Sequence, residues 1–100
     1  MLHTVNKSPF DRDSLGTCIR LARPGSDVLL IEDAVYAALQ GSSFEATVRA
    51  AMERLSVFAL KEDLDARGIG PHDVIAGIRI VDYGGFVDLA ARNDSVQSWL

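Results

Sequence analysis

What most constrains this chain is a small unit that recurs along it: a short unbroken apolar run, then acid, then helix-forming residues. "DVLLI" (Asp27–Ile31) runs into Glu32-Asp33, "SVFAL" (Ser56–Leu60) into Glu62-Asp63, and "IRIV" (Ile78–Val81) into Asp82. Apolar runs without alternation suit strands covered on both faces, as in parallel sheets. Strands that alternate with helices place those helices on the faces of the sheet. The pattern predicts an α/β chain: a single three-layer α/β/α domain over residues 1–100, with a mainly parallel sheet of about four to five strands.

The other segments fit around these runs. Leu2–Val5 reads as a first strand, ending in the turn-prone Asn6-Lys7-Ser8-Pro9. A helix follows, with two rival starts. Ser8 with Asp11 forms a capping-box spacing and Pro9 suits the first helical position, while Asp13 is a second cap. Pro24-Gly25 ends that helix. "AVYAAL" predicts a short helix broken by Gly41-Ser42-Ser43, and Phe44, Val48, Met52 and Leu55 recur at helical spacing. Leu64–Arg67 reads as a helical turn, and Val74-Ile75 opens a strand or a helix. Gly84-Gly85 reads as a tight turn before a helix over Gly85–Asp94, with Phe86, Leu89 and Ala90 on one side. The tail ends apolar, with Trp99.

Composition narrows the function classes. Of the 100 residues 48% are hydrophobic, and the mean hydropathy is +0.12. So short a chain has much surface per volume, so part of that apolar content is expected outside, where it marks contacts with partners. Ten basic against fourteen acidic residues give a net charge of −4, with no basic run to grip nucleic acid. A single cysteine excludes an internal disulfide and fits a reducing compartment. No secretory leader is visible after Met1, and the apolar stretches are too short to cross a bilayer, so a cytoplasmic location without membrane attachment is expected.

Few residues carry chemistry. Asp33, Asp63 and Asp82 are expected at the carboxyl edge of the sheet, where open α/β folds bind ligands. Each precedes a helix, so capping is the favoured role. There is no GxxxxGK[ST] or GxGxxG loop. His3, His72 and Cys18 lack ligand spacing, so no metal site is expected, nor any cofactor. His3 reads as a packed strand residue and His72 as a surface residue. Leu15, Ile19 and Ala22 form one helical face, and Cys18 falls beside it. A free cysteine there behaves as a small apolar residue. Reactivity would require access and a nearby cation, and Arg20 points elsewhere while Lys7 and Arg12 are the remaining candidates.

"MLHTVNKSPF", "DVLLIEDAVYAAL" and "IVDYGGFVDLAARNDSVQSWL" together resemble the DsrH/TusB family of sulfur-relay subunits over nearly the whole chain. The cysteine in the first helix looks more like DsrH than TusB. The resemblance implies a DsrEFH-like fold and a place in a cytoplasmic heterohexamer, beside DsrE/TusD-like and DsrF/TusC-like subunits. It implies exchange of persulfide sulfur with a DsrC/TusE-like carrier protein. The pathway would be sulfur oxidation with reverse dissimilatory sulfite reductase, or 2-thiolation of the tRNA wobble uridine. It also places the principal sulfur-carrying cysteine on the DsrE/TusD-like subunit and leaves Cys18 as a possible persulfide carrier. The structural role is the leading expectation; the alternative is a stand-alone flavodoxin-like domain that binds a small ligand.

Overall fold

The computed structural model describes all 100 residues. Five strands form one sheet: β1 (Leu2–Val5), β2 (Asp27–Leu30), β3 (Ser56–Leu60), β4 (Arg79–Val81) and β5 (Val96–Trp99). They lie in the order β4-β3-β2-β1-β5, and every pairing is parallel. The helices are α1 (Ser14–Leu21), α2 (Glu45–Ala51), α3 (Lys61–Ala66) and α4 (Tyr83–Arg92), with 3-10 turns over Glu32–Ala38 and Pro71–Asp73. This is the predicted α/β architecture, with the apolar tail added as a fifth strand. The tail pairs Leu2 with Val96 and Val5 with Trp99.

The strand order explains where the helices lie. From β1 to β4 each crossover steps the same way across the sheet, so the right-handed rule sends every connecting helix to one face. The last crossover returns from β4 to the far side of β1, which sends α4 to the other face. Packing follows this division. On the first face Val5, Val28, Leu30, Val57 and Ala59 meet Leu15 and Cys18 of α1, Val48 and Ala51 of α2, and Leu64 of α3, in a cluster of 20 buried residues. On the second face the buried cluster is Leu2, Leu29, Phe58 and Leu89, the last from α4. Phe86 and Ala90 pack beside it, as the helical spacing implied.

Local chemistry sets the helix starts. Asp13 caps α1, its carbonyl accepting from the Thr17 N–H at 2.9 Å. Ser8 instead closes a turn: its hydroxyl accepts from Phe10 N–H at 3.2 Å and its carbonyl from Asp11 and Arg12. Arg54 reaches from the α2–β3 connection to donate to the Ala22 carbonyl at 2.9 Å and to the Ile19 carbonyl, satisfying the otherwise open end of α1. Gly84 and Gly85 lie inside the first turn of α4 rather than in a turn before it. A Cβ on Gly85 would stand 2.8 Å from Val81 Cβ, so the glycine lets the helix start directly against β4.

The "AVYAAL" segment winds as a 3-10 helix, and Val74 forms an isolated antiparallel bridge with Leu39 instead of opening a strand.

Candidate functional site

The acids at the sheet edge have three different jobs. Asp82 caps its own helix, its Oδ1 accepting from Gly85 N–H at 2.8 Å. Asp63 lies within α3 and caps across to the neighbouring element: its Oδ2 accepts from Glu32 N–H at 2.6 Å. Glu32 needs that support. Its φ of 50° makes it the only non-glycine residue in the left-handed region, a conformation that costs about 1 kcal/mol or more. Asp33 is not a cap. Its carboxylate accepts two hydrogen bonds from Arg67, at 2.8 and 3.1 Å.

Arg67 ties this edge together. It also donates to the Asp63 carbonyl at 3.1 Å, lies 3.7 Å from the Asp63 carboxylate, and stands 6.0 Å from the centre of the Tyr36 ring. The Asp33 hydrogen bonds, with the Asp33 and Asp63 charges behind them, hold its proton more tightly than usual. So two of the three acids neutralise one arginine and brace a strained corner. No three His, Cys, Asp or Glu side chains stand close enough together to hold a metal ion.

Cys18 is fully buried among the α1 and sheet side chains, at 0% exposure. Burial pushes its thiol up to about 11, the opposite direction from an activated nucleophile. Neither Lys7 nor Arg12 lowers it, and Arg20 is held by Thr17 and Asp13 on the outside of the helix.

His3 is buried in β1, at 5% exposure. Its Nδ1 accepts from the Trp99 indole N–H at 3.1 Å, which ties β5 to β1 through side chains as well as backbone. Trp99 thus folds back onto its own domain. His72 is exposed, with Asp73 at 3.6 Å. One buried acid escaped the sequence reading: Asp27, at 9% exposure, accepts from Asn93 at 3.0 Å and from Arg92 at 3.3 Å. Arg92 and Arg79 both lie over the Phe58 ring, at 5.9 and 5.8 Å, and finish the second face with charged side chains. Phe10, Leu21, Tyr83, Val87, Val96 and Leu100 remain exposed.

These features define the class: a parallel α/β domain whose ionisable groups brace the fold, with its thiol sealed inside and apolar side chains left outside. The chain belongs to the DsrH family. The DsrH-like protein family model matches residues 7–96. The chain is 42% identical to Protein TusB of Erwinia tasmaniensis over 104 residues, covering 99% of this chain and all of that protein. It is 36% identical to Protein TusB of Escherichia coli K12 over 99 residues, with the same coverage. Among solved structures the fold resembles the ychN protein from E. coli, with a TM-score of 0.84 and 23% identity over 97% of each chain. It also resembles a protein of unknown function from Methanobacterium thermoautotrophicum, with a TM-score of 0.77 at 16% identity, covering 97% of this chain and 95% of that one.

Proposed function

We propose that this chain is a TusB-type subunit of a sulfur-relay complex acting in thiolation of the tRNA wobble uridine. It would sit in a cytoplasmic heterohexamer with TusD-like and TusC-like subunits, which passes persulfide sulfur to a TusE-like carrier. The observation that carries its role within that complex is the state of Cys18. A thiolate must reach and attack the outer sulfur of a persulfide to take it over. The only thiol here is buried and held protonated. Sulfur therefore travels through a cysteine of another subunit, and this chain completes the assembly. Its exposed apolar side chains, Phe10, Tyr83, Val87 and Val96, support a domain that works among partners. The relatives' shared name favours the tRNA branch over sulfur oxidation.

Co-expression with TusC-like and TusD-like partners tests the reading. A defined heterohexamer on size exclusion is expected, and Cys18→Ala should leave persulfide transfer by that complex unchanged. A monodisperse monomer that ignores both partners would remove the assembly role. A one-sulfur mass increment on Cys18, with transfer lost in Cys18→Ala, would make this chain a carrier instead.

The flavodoxin-like alternative has little to rest on. Ligands of such folds sit at the carboxyl edge, which here is occupied by the Arg67, Asp33 and Asp63 network.

A further inference from the structure

The larger cavity of the molecule, about 780 Å³, runs along the β5 edge beneath the end of α1. Its charge is opposite to that of the chain. Acids outnumber bases fourteen to ten overall, yet none of the nine lining residues is Asp or Glu. Arg23 lines it and, unlike Arg20, Arg49, Arg67 and Arg92, has no carboxylate partner. Gln97 and Ser26 line it with side chains that have no protein hydrogen-bond partner. The fourth polar group is oriented by chemistry. The Trp99 indole can only donate, so His3 Nδ1 must accept, and the neutral ring carries its proton on Nε2. That N–H has no acceptor in the protein. The walls are apolar: the Trp99 ring on one side and Leu21, 66% exposed, on another.

Unpaired donors, two uncompensated cations (the Arg23 guanidinium and the Met1 amino group) and an indole wall suit one class of ligand. We propose that this cavity binds a small organic anion with a flat apolar body, its charge on Arg23 and the His3 Nε2–H and its body against Trp99. Charge-assisted hydrogen bonds to Arg23 and Gln97 would fix the acid group, and the indole face would supply the contact area. Cys18 is not among the lining residues.

Trp99 is the only tryptophan, so 5-fluorotryptophan labelling of the full chain puts a single ¹⁹F resonance in the cavity wall. Titration with naphthalene-1-sulfonate at pH 7.5 should shift that resonance saturably. Uncharged 1-naphthalenemethanol should bind at least about fivefold more weakly, as should the sulfonate to Arg23→Gln, the equivalent of one modest ion pair. Gln97→Glu, on the exposed edge strand, puts a carboxylate in the cavity and should abolish sulfonate binding while the alcohol still binds. Equal affinity for sulfonate and alcohol, sulfonate binding that survives Gln97→Glu, or no saturable shift at millimolar probe would each overturn the proposal.

Discussion

Replacing Cys18 tests whether its sulfur is a packing atom. The side chain is fully buried among apolar neighbours, with Leu15 and Ala22 on its own helix also buried. Cys18→Ala removes one heavy atom and leaves a methyl-sized void, which costs about 1 kcal/mol. For a domain of this size that lowers Tm by about 4–8 °C. Cys18→Ser fills the space but buries a hydroxyl, and an unsatisfied buried hydroxyl costs about 1–3 kcal/mol. A back-bond to the Ser14 carbonyl one turn earlier recovers part of that. Serine, nominally the conservative change, should therefore be no more stable than alanine, and both should melt below the wild type. Reactivity gives an independent readout. With the thiol near 11, about one molecule in a thousand carries thiolate at pH 8. Ellman's reagent should therefore label the native chain only as fast as local opening exposes α1, far more slowly than in urea. Thermal melts by circular dichroism and a labelling time course are sufficient. Native labelling as fast as unfolded, or a serine variant as stable as wild type, would refute the reasoning.

Three further outcomes are expected. Leu89→Ala should cost about 2–5 kcal/mol, since Leu89 is the only buried residue of α4; hydrogen exchange should quicken in α4 before the first-face helices, and uniform quickening would argue against an independently loosened layer. Asp82→Ala should cost about 1 kcal/mol through loss of the cap to Gly85 N–H, measured by urea unfolding, with Asp82→Asn close to wild type. His3 is held below its ordinary value of 6.5, first by burial and then by the Met1 amino group, and Arg23 and the Trp99 indole N–H add no acceptor for a second proton. The folded state then binds fewer protons than the unfolded one, so stability present above about 6.5 is lost as pH falls through that value toward the lower folded one. Urea midpoints between pH 8 and pH 5 should fall more for wild type than for His3→Gln, and parallel curves would refute it.

The strands were legible because burial on both faces of a parallel sheet writes itself as unbroken apolar runs. The first and third predicted strands keep their bounds, the second ends at Leu30, one residue short of Ile31, and the fourth begins at Arg79, one residue later than the run suggested. β5 was not legible as a strand. "VQSW" is half polar, and it is an edge strand whose residues are mostly exposed, so nothing forces the pattern. The capping residues were read by type, and type does not say whose backbone is capped. Asp82 caps the helix that follows it, whereas Asp63 serves a residue 31 positions earlier, across a sheet order that composition does not reveal. Arg67 carried only the i,i+4 spacing to Asp63 as a local signal, and its other partners, Asp33 and Tyr36, meet it only through the fold. Cys18 was read from its helical face as either a packed or a reactive residue. The structure adds what local spacing lacks: the sheet and helices that seal it.

The asymmetry of the two faces ties the topology to the composition. Three crossovers in one direction pile α1, α2, α3 and the 3-10 segment onto the first face, which buries five times as many residues as the second. The single returning crossover supplies one ten-residue helix for the whole second face. Such a helix covers a strip of sheet roughly 10 Å wide, the span of three adjacent strands at their usual spacing of about 4.8 Å. It covers Leu2, Leu29 and Phe58 and leaves Val96 on β5 half exposed. Arg79 and Arg92 extend the cover with their stems, which is why a charged pair lies over Phe58 where another helix would otherwise pack. The outward face of α4 still carries Tyr83 and Val87, one helical turn apart and both more than half exposed. Part of the surplus apolar composition thus follows from the direction of the last crossover: Tyr83, Val87 and Val96 stand on the side of the sheet that α4 only partly covers, while Phe10 and Leu21 are exposed beside the first-face elements.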